Sequence, residues 1–184
     1  MAKGQEQAAP DAVLTRIGQV AMLHHAGDRE EARHRFLGLW AEIGEHGDPL
    51  HRCTLAHYLA DTQDDPGDEL AWDLRALSAA EELTEDRLTG RHHDTLAARA
   101  LYPSLHLNLA ADYDRLGHRE AARVHLRRAR GAAESLAPDG YGDGVRAAID
   151  RLERRLERRL DEDGPTPDGP ERPGGRWGPP RQRP

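Results

Sequence analysis

LGHREAARVHLRRA, Leu116 to Ala129, decides how the rest of this chain is read. Its glycine parts two runs at helical spacing: Leu105, Leu107, Leu109, Ala110, Tyr113 and Leu116 before it, Ala121, Ala122, Leu126, Ala129 and Ala133 after it. The same order stands earlier, where Gly27-Asp28-Arg29-Glu30-Glu31-Ala32 is followed by Phe36. Such a glycine lets the chain reverse, the alanine lets two helices approach closely, and the large residue fills the gap one turn on. A helical hairpin of this kind cannot bury its apolar face alone, so it must stack on a neighbour.

Working outward, Val13, Ile17, Val20 and Ala21 predict a first helix over about 11–26. Asp28 and Glu31 form a capping-box pattern ahead of Ala32, Phe36, Leu39 and Ile43, which carries a second helix to about residue 45. Pro49 opens a third helix, which runs to about Thr62 and is broken by QDDPGD. Leu70, Ala71, Leu74, Leu77 and Leu83 then give a fourth. TEDRLTGRHHD, residues 84–94, reads as a polar connection. TLAARALYP is either a short helix or the leading part of the next one, stopped or kinked at Pro103. DGYGDG reads as a flexible link with Asp143 as a cap, followed by a last helix carrying Val145, Ile149, Leu152, Leu156 and Leu160 on one stripe. RLERRLERRL gives that helix a face of paired charges. Residues 1–10 and the Pro/Gly-rich stretch 162–184 have little to bury and read as disordered, leaving one helical domain over 11–161.

Composition agrees with this reading. In 184 residues only 4% are aromatic and 32% are charged, and the abundant Ala, Leu, Arg and Glu favour helix over strand. An all-α class follows. The net charge of -7 repels a phosphate backbone, and no basic stripe offsets it, so nucleic acid is not an expected partner. A single cysteine excludes an internal disulfide, and no apolar run reaches the length of a membrane span. Cytoplasmic is therefore the expected location, with no membrane partner. Lys3 stands alone beside many arginines, as a GC-rich genome such as an actinomycete's would produce.

The hairpin pattern resembles the tetratricopeptide repeat. Asn108, Leu109, Ala110, Tyr113, Leu116, Gly117, Ala122, Leu126 and Ala129 fall on that family's small and large positions. Gly27, Ala32 and Phe36 repeat part of the pattern, and a middle unit on Leu55, Ala56, Leu59, Leu70, Ala71 and Leu74 is degenerate. The resemblance covers about residues 11–135, and the helix after 144 looks like a polar-faced cap. It implies antiparallel hairpins stacked in a right-handed superhelix, with a concave groove that receives a peptide or helix of a partner protein. On that register the groove residues are His24, His25, His57, Asp61, Asn108, Ala111, Asp114 and Arg115, beside Ile17, Ala21, Cys53 and Leu107.

The eleven histidines raise metal binding, because neutral imidazole is a good ligand for zinc, copper or nickel. His24-His25 and His92-His93 are adjacent pairs that point apart on a helix, and no HExxH occurs, so no metal or cofactor is expected. QDDPGDE and DEDG lack the alternating oxygens of a calcium loop. DGYGDG follows a helix and is not followed by Lys or Ser/Thr, unlike a phosphate loop. Cys53 on an apolar face reads as packed, and no catalytic residues are assigned. The expected function is thus a non-enzymatic interaction module for an unidentified protein or peptide. Two competing readings are a metal-binding regulator or metal-dependent enzyme using His24, His25 and His57, and self-association into a homo-oligomer through the exposed face of the 145–160 helix or an uncapped N-terminal hairpin.

Overall fold

A computed structural model describes residues 11–83 and 100–159 in full, and 84–85, 92–99 and 160–162 as backbone. The expected disorder of 1–10 and nearly all of the 162–184 tail lie outside the described residues. Among those described, every regular element is a helix: α1 (Ala12–His25), α2 (Arg29–Ile43), α3 (Pro49–Asp61), α4 (Pro66–Glu85), α5 (His92–Arg115), α6 (Arg119–Ala133) and α7 (Gly140–Glu162).

The start signals act through specific atoms. Asp11 Oδ1 accepts from the amides of Val13 and Leu14 at 2.8 and 3.0 Å, and Asp48 Oδ1 accepts from Leu50 and His51 at 2.9 and 3.3 Å. Asp65 in the QDDPGD break accepts from Gly67 and Asp68, ahead of Pro66 at the first position of α4. The glycines end α1 and α5 identically. Gly27 (φ 96°) and Gly117 (φ 80°) are left-handed, and the next amides, Asp28 and His118, reach back to Leu23 and Tyr113 carbonyls at 3.1 and 2.8 Å. Ala32 and Ala122 are fully buried where the paired helices approach.

Consecutive helices pack in order, and the first members of the pairs also touch: α1 on α3, α3 on α5, α5 on α7. Long-range polar ties fix the direction of these contacts. His51 Nε2 meets Asp11 Oδ2 at 2.6 Å, at a separation of 40 residues. Tyr141 donates to the Ala100 carbonyl at 3.2 Å and Arg155 donates to Asp114 at 2.9 Å, both at a separation of 41. Two ties with one offset mean that α5 and α7 run parallel in a single register.

The core has three segments. Ile17, Val20, Ala21, Phe36, Leu39, Leu55 and Leu59 join α1, α2 and α3. Cys53, Ala56, Ala76, Ala79, Ala80 and Leu105 join α3, α4 and α5. Ala110, Leu126, Ala129, Ile149, Leu152 and Leu156 join α5, α6 and α7. Trp40 meets Trp72 edge-on at 5.0 Å between the first two segments.

Three sequence expectations are corrected. α4 does not use Leu74 as a core residue: that side chain is 41% exposed, and the buried face carries Asp73, Ala76, Leu77, Ala80 and Leu83. The helix packs on both α3 and α5, and small alanines permit that double approach. Of the two readings of TLAARALYP, the leading part of the next helix is the one seen, but the helix is not stopped at its proline: α5 continues through a fully buried Pro103. DGYGDG is not a link but the beginning of α7, and its cap is Asp139, whose Oδ1 accepts from Gly142 N at 2.8 Å. Asp143 pairs instead with Arg146 at 2.8 Å.

Candidate functional site

The apolar stripes of α3, α4 and α5 are interrupted by polar residues that face one another. α3 contributes His57 and Asp61, one turn apart; α4 contributes Glu69 and Asp73; α5 contributes Asp112 and Arg115. Asp73 and Asp112 are fully buried, and Glu69 is half-buried at the edge. One carboxylate oxygen from each of Glu69, Asp73 and Asp112 lies within 4.8 Å of the other two.

These carboxylates are unevenly served. Arg115 reaches Asp112 Oδ1 at 2.5 Å and Glu69 at 2.6 Å. Asp112 Oδ2 and both oxygens of Asp73 are buried without a hydrogen-bond donor, and so is His57 Nδ1, which lies 3.6 Å from Asp73 Oδ1. Native folds seldom leave buried polar atoms in that state.

The electrostatics follow. Burial, reinforced by the Asp73 charge, pushes the Asp112 carboxyl up to about 8 against an ordinary 3.8. Burial also raises Asp73 against the opposing pull of His57. His57 is itself raised: burial lowers it, but the Asp73 carboxylate 3.6 Å away, with Asp61 behind, outweighs that. Asp61 is raised by desolvation although its side chain is exposed, as happens where solvent reaches a carboxyl crowded by neighbouring elements.

The expected groove residues divide. His57, Asp61 and Arg115 meet at this cluster. His24 and His25 act on Asp61 through their charge, with His25 Nδ1 at 2.7 Å from the Ala21 carbonyl of its own helix. Asn108 and Ala111 are half-buried on α5. Asp114, expected to face a partner, is instead buried beneath α7, where its carboxylate holds Arg155 at 2.9 Å and Arg159 at 2.7 Å. Ile17, Ala21 and Cys53 are core residues rather than groove lining, and burial pushes the Cys53 thiol up to about 12. Among the described residues, the group of three ligand atoms close enough for one ion is the carboxylate set, not His24, His25 and His57.

Sequence reasoning missed Glu69, Asp73 and Asp112. The available signal was a carboxylate in register with an apolar stripe: Asp73 with Ala76, Ala80 and Leu83, and Asp112 with Leu105 and Leu109. Charged residues seldom occupy such positions unless paired.

No family model, curated protein or solved structure matches the chain.

Proposed function

We propose that this chain is a non-enzymatic interaction module of the tetratricopeptide-repeat type, a right-handed stack of helical hairpins whose concave face receives a peptide or helix of a partner protein. The observation that carries the reading is the shared register of the first helices. Ties at separations of 40 and 41 residues link α1 to α3 and α5 to α7. Like units stacked side by side create an extended face from repeated elements, which is how helical arrays gain a binding surface larger than any one hairpin.

Asp61 supports a concave face at α3, being exposed and crowded at once. Asn108 and Ala111 extend that face along α5, and the exposed carboxylate of Asp61 favours a partner segment carrying basic side chains. The partner-binding residues of this reading are His24, His25, His57, Asp61, Asn108, Ala111 and Arg115.

Affinity capture with the full chain and with an Asp61→Arg, Ala111→Arg double variant tests it. The reading expects a protein bound by the wild type and lost from the variant, with helix content unchanged by circular dichroism. Identical captured proteins from both chains would overturn the groove assignment.

A further inference from the structure

We propose that Glu69, Asp73 and Asp112, with His57 at their edge, form a binding site for one divalent metal ion of the oxygen-preferring class. This goes beyond the interaction reading and does not depend on it.

Geometry is the first support. Metal–oxygen distances of about 2.0–2.6 Å place the ligands of a six-coordinate ion about 3–5 Å apart. The three carboxylate oxygens, all within 4.8 Å of one another, have that spacing before any side chain moves. They come from two packed helices, which is the kind of rigid support a site needs.

The second support is independent of the clustering. Both oxygens of Asp73 and Oδ2 of Asp112 are enclosed and lack a donor, on side chains that are 0% and 1% exposed. A buried carboxylate in that condition takes either a proton or a cation. Arg115 supplies one positive charge from the exposed rim, on Glu69 and on the far oxygen of Asp112, and leaves Asp73 untouched. Once their protons are withdrawn, three carboxylates against one guanidinium leave two negative charges, the complement of a divalent ion. The inner oxygens open onto no exposed surface of their own residues, which favours a small ion over a partner's side chain.

The donor set narrows the metal. Carboxylate oxygens suit magnesium, calcium and manganese, whereas one imidazole beside them favours manganese or iron(II) over the first two. The cluster holds no thiol. The groups facing the site are His57 and Asp61 from α3, Glu69 and Asp73 from α4, and Asp112 and Arg115 from α5, with His24 and His25 of α1 acting on Asp61. The competing occupant is a proton shared by Asp73 and Asp112, so metal affinity must rise as protons are withdrawn.

Manganese(II) chloride titrated into the untagged full chain, followed by calorimetry and by loss of the free-ion paramagnetic resonance signal, tests the site. One equivalent is expected to bind at about pH 8, at least tenfold more tightly than at about pH 6.5. Asp73→Asn and Asp112→Asn should each weaken binding by roughly a hundredfold. Glu69→Gln, at the half-buried edge, should weaken it about tenfold and serves if a core replacement unfolds the chain. Asp150→Asn, whose carboxylate pairs with Arg130 on the far helices, should change nothing. No saturable binding at about pH 8, or binding that survives all three cluster variants, would overturn the assignment and leave the shared proton as the sole occupant.

Discussion

Asp114 of α5 accepts a 2.9 Å hydrogen bond from Nε of Arg155 on α7, and its other oxygen accepts from Arg159 at 2.7 Å. The carboxylate is 1% exposed and both arginines are nearly half exposed, so charge from the rim of the last helix reaches inward to a fixed buried point. Removing the carboxylate deletes two charge-assisted bonds without stranding either arginine. Asp114→Ala should cost roughly 2 kcal/mol in urea unfolding, with faster amide exchange along α7. Unchanged exchange in α7 would show that its apolar stripe docks it alone.

Asp112 makes stability depend on pH with a definite sign. Its carboxyl keeps a proton in the fold up to about 8, whereas the unfolded chain releases it near 3.8, so its contribution is present at low pH and lost as pH rises through that interval. Asp112→Asn does not titrate. With a chelator present it should come nearest the wild type at about pH 4 and gain on it by roughly 4 kcal/mol between there and about pH 8. A constant difference across that range would contradict the buried-carboxyl account.

His106 acts in the opposite sense. Its Nδ1 lies 3.1 Å from His125 Nδ1, Tyr113 stacks on His125 at 5.3 Å, and burial, with the nearby His125 and Arg128, lowers His106 to about 4. The neutral ring is therefore favoured in the fold, and its stability is present above 6.5 and lost as pH falls towards 4. His106→Phe should gain on the wild type by about 1–2 kcal/mol near pH 5 and show no such gain near pH 7.5, read from denaturation midpoints at both values.

Gly27 and Gly117 have left-handed backbones, and nothing lies within 4 Å of where a Cβ would stand. Alanine at either position is thus penalised by conformation and not by a clash. Each substitution should cost about 1 kcal/mol in chemical denaturation. A much larger loss at either glycine would reveal a packing role that the open space does not contain.

Cys53 is fully buried with a thiol raised to about 12, so thiol reagents should label it no faster than the chain opens. Labelling in native buffer at the rate of a small-molecule thiol would place it on an accessible surface.

The helices were legible wherever one residue type had one job. Pro49 at the start of α3, and the Gly117 turn with Ala122 and Leu126 behind it, needed no tertiary information because their function is local or one turn away. The middle of the chain was less legible. Leu74 reads as core, yet α4 packs on two helices at once and its orientation is set by where Ala76, Ala79 and Ala80 allow close approach. A periodic stripe identifies an amphipathic face but cannot choose between neighbouring rotations when the small residues are spread around the helix. The cluster shared that fate. His57, Asp61 and Arg115 stood out in the sequence, but Asp73 and Asp112 draw attention only through their partners, which lie on other helices.

Pro103 gives the ties between α5 and α7 a further meaning. Proline removes one backbone donor from a helix interior and crowds the preceding turn. The Tyr141 hydroxyl sits at that turn, 3.2 Å from the Ala100 carbonyl and 2.7 Å from Ser104 Oγ, while Arg155 grips the same helix at Asp114. Fourteen residues at 1.5 Å each separate the two grips on both helices, about 21 Å along either axis. α7 is thus a splint, pinned at the weak turn of α5 and again about 21 Å further along it. A chain ending before residue 140 should lose more than its last helix: the turns of α5 ahead of the proline would fray, and Asp112, the cluster's carboxylate on α5, would be set on a bone no longer held straight.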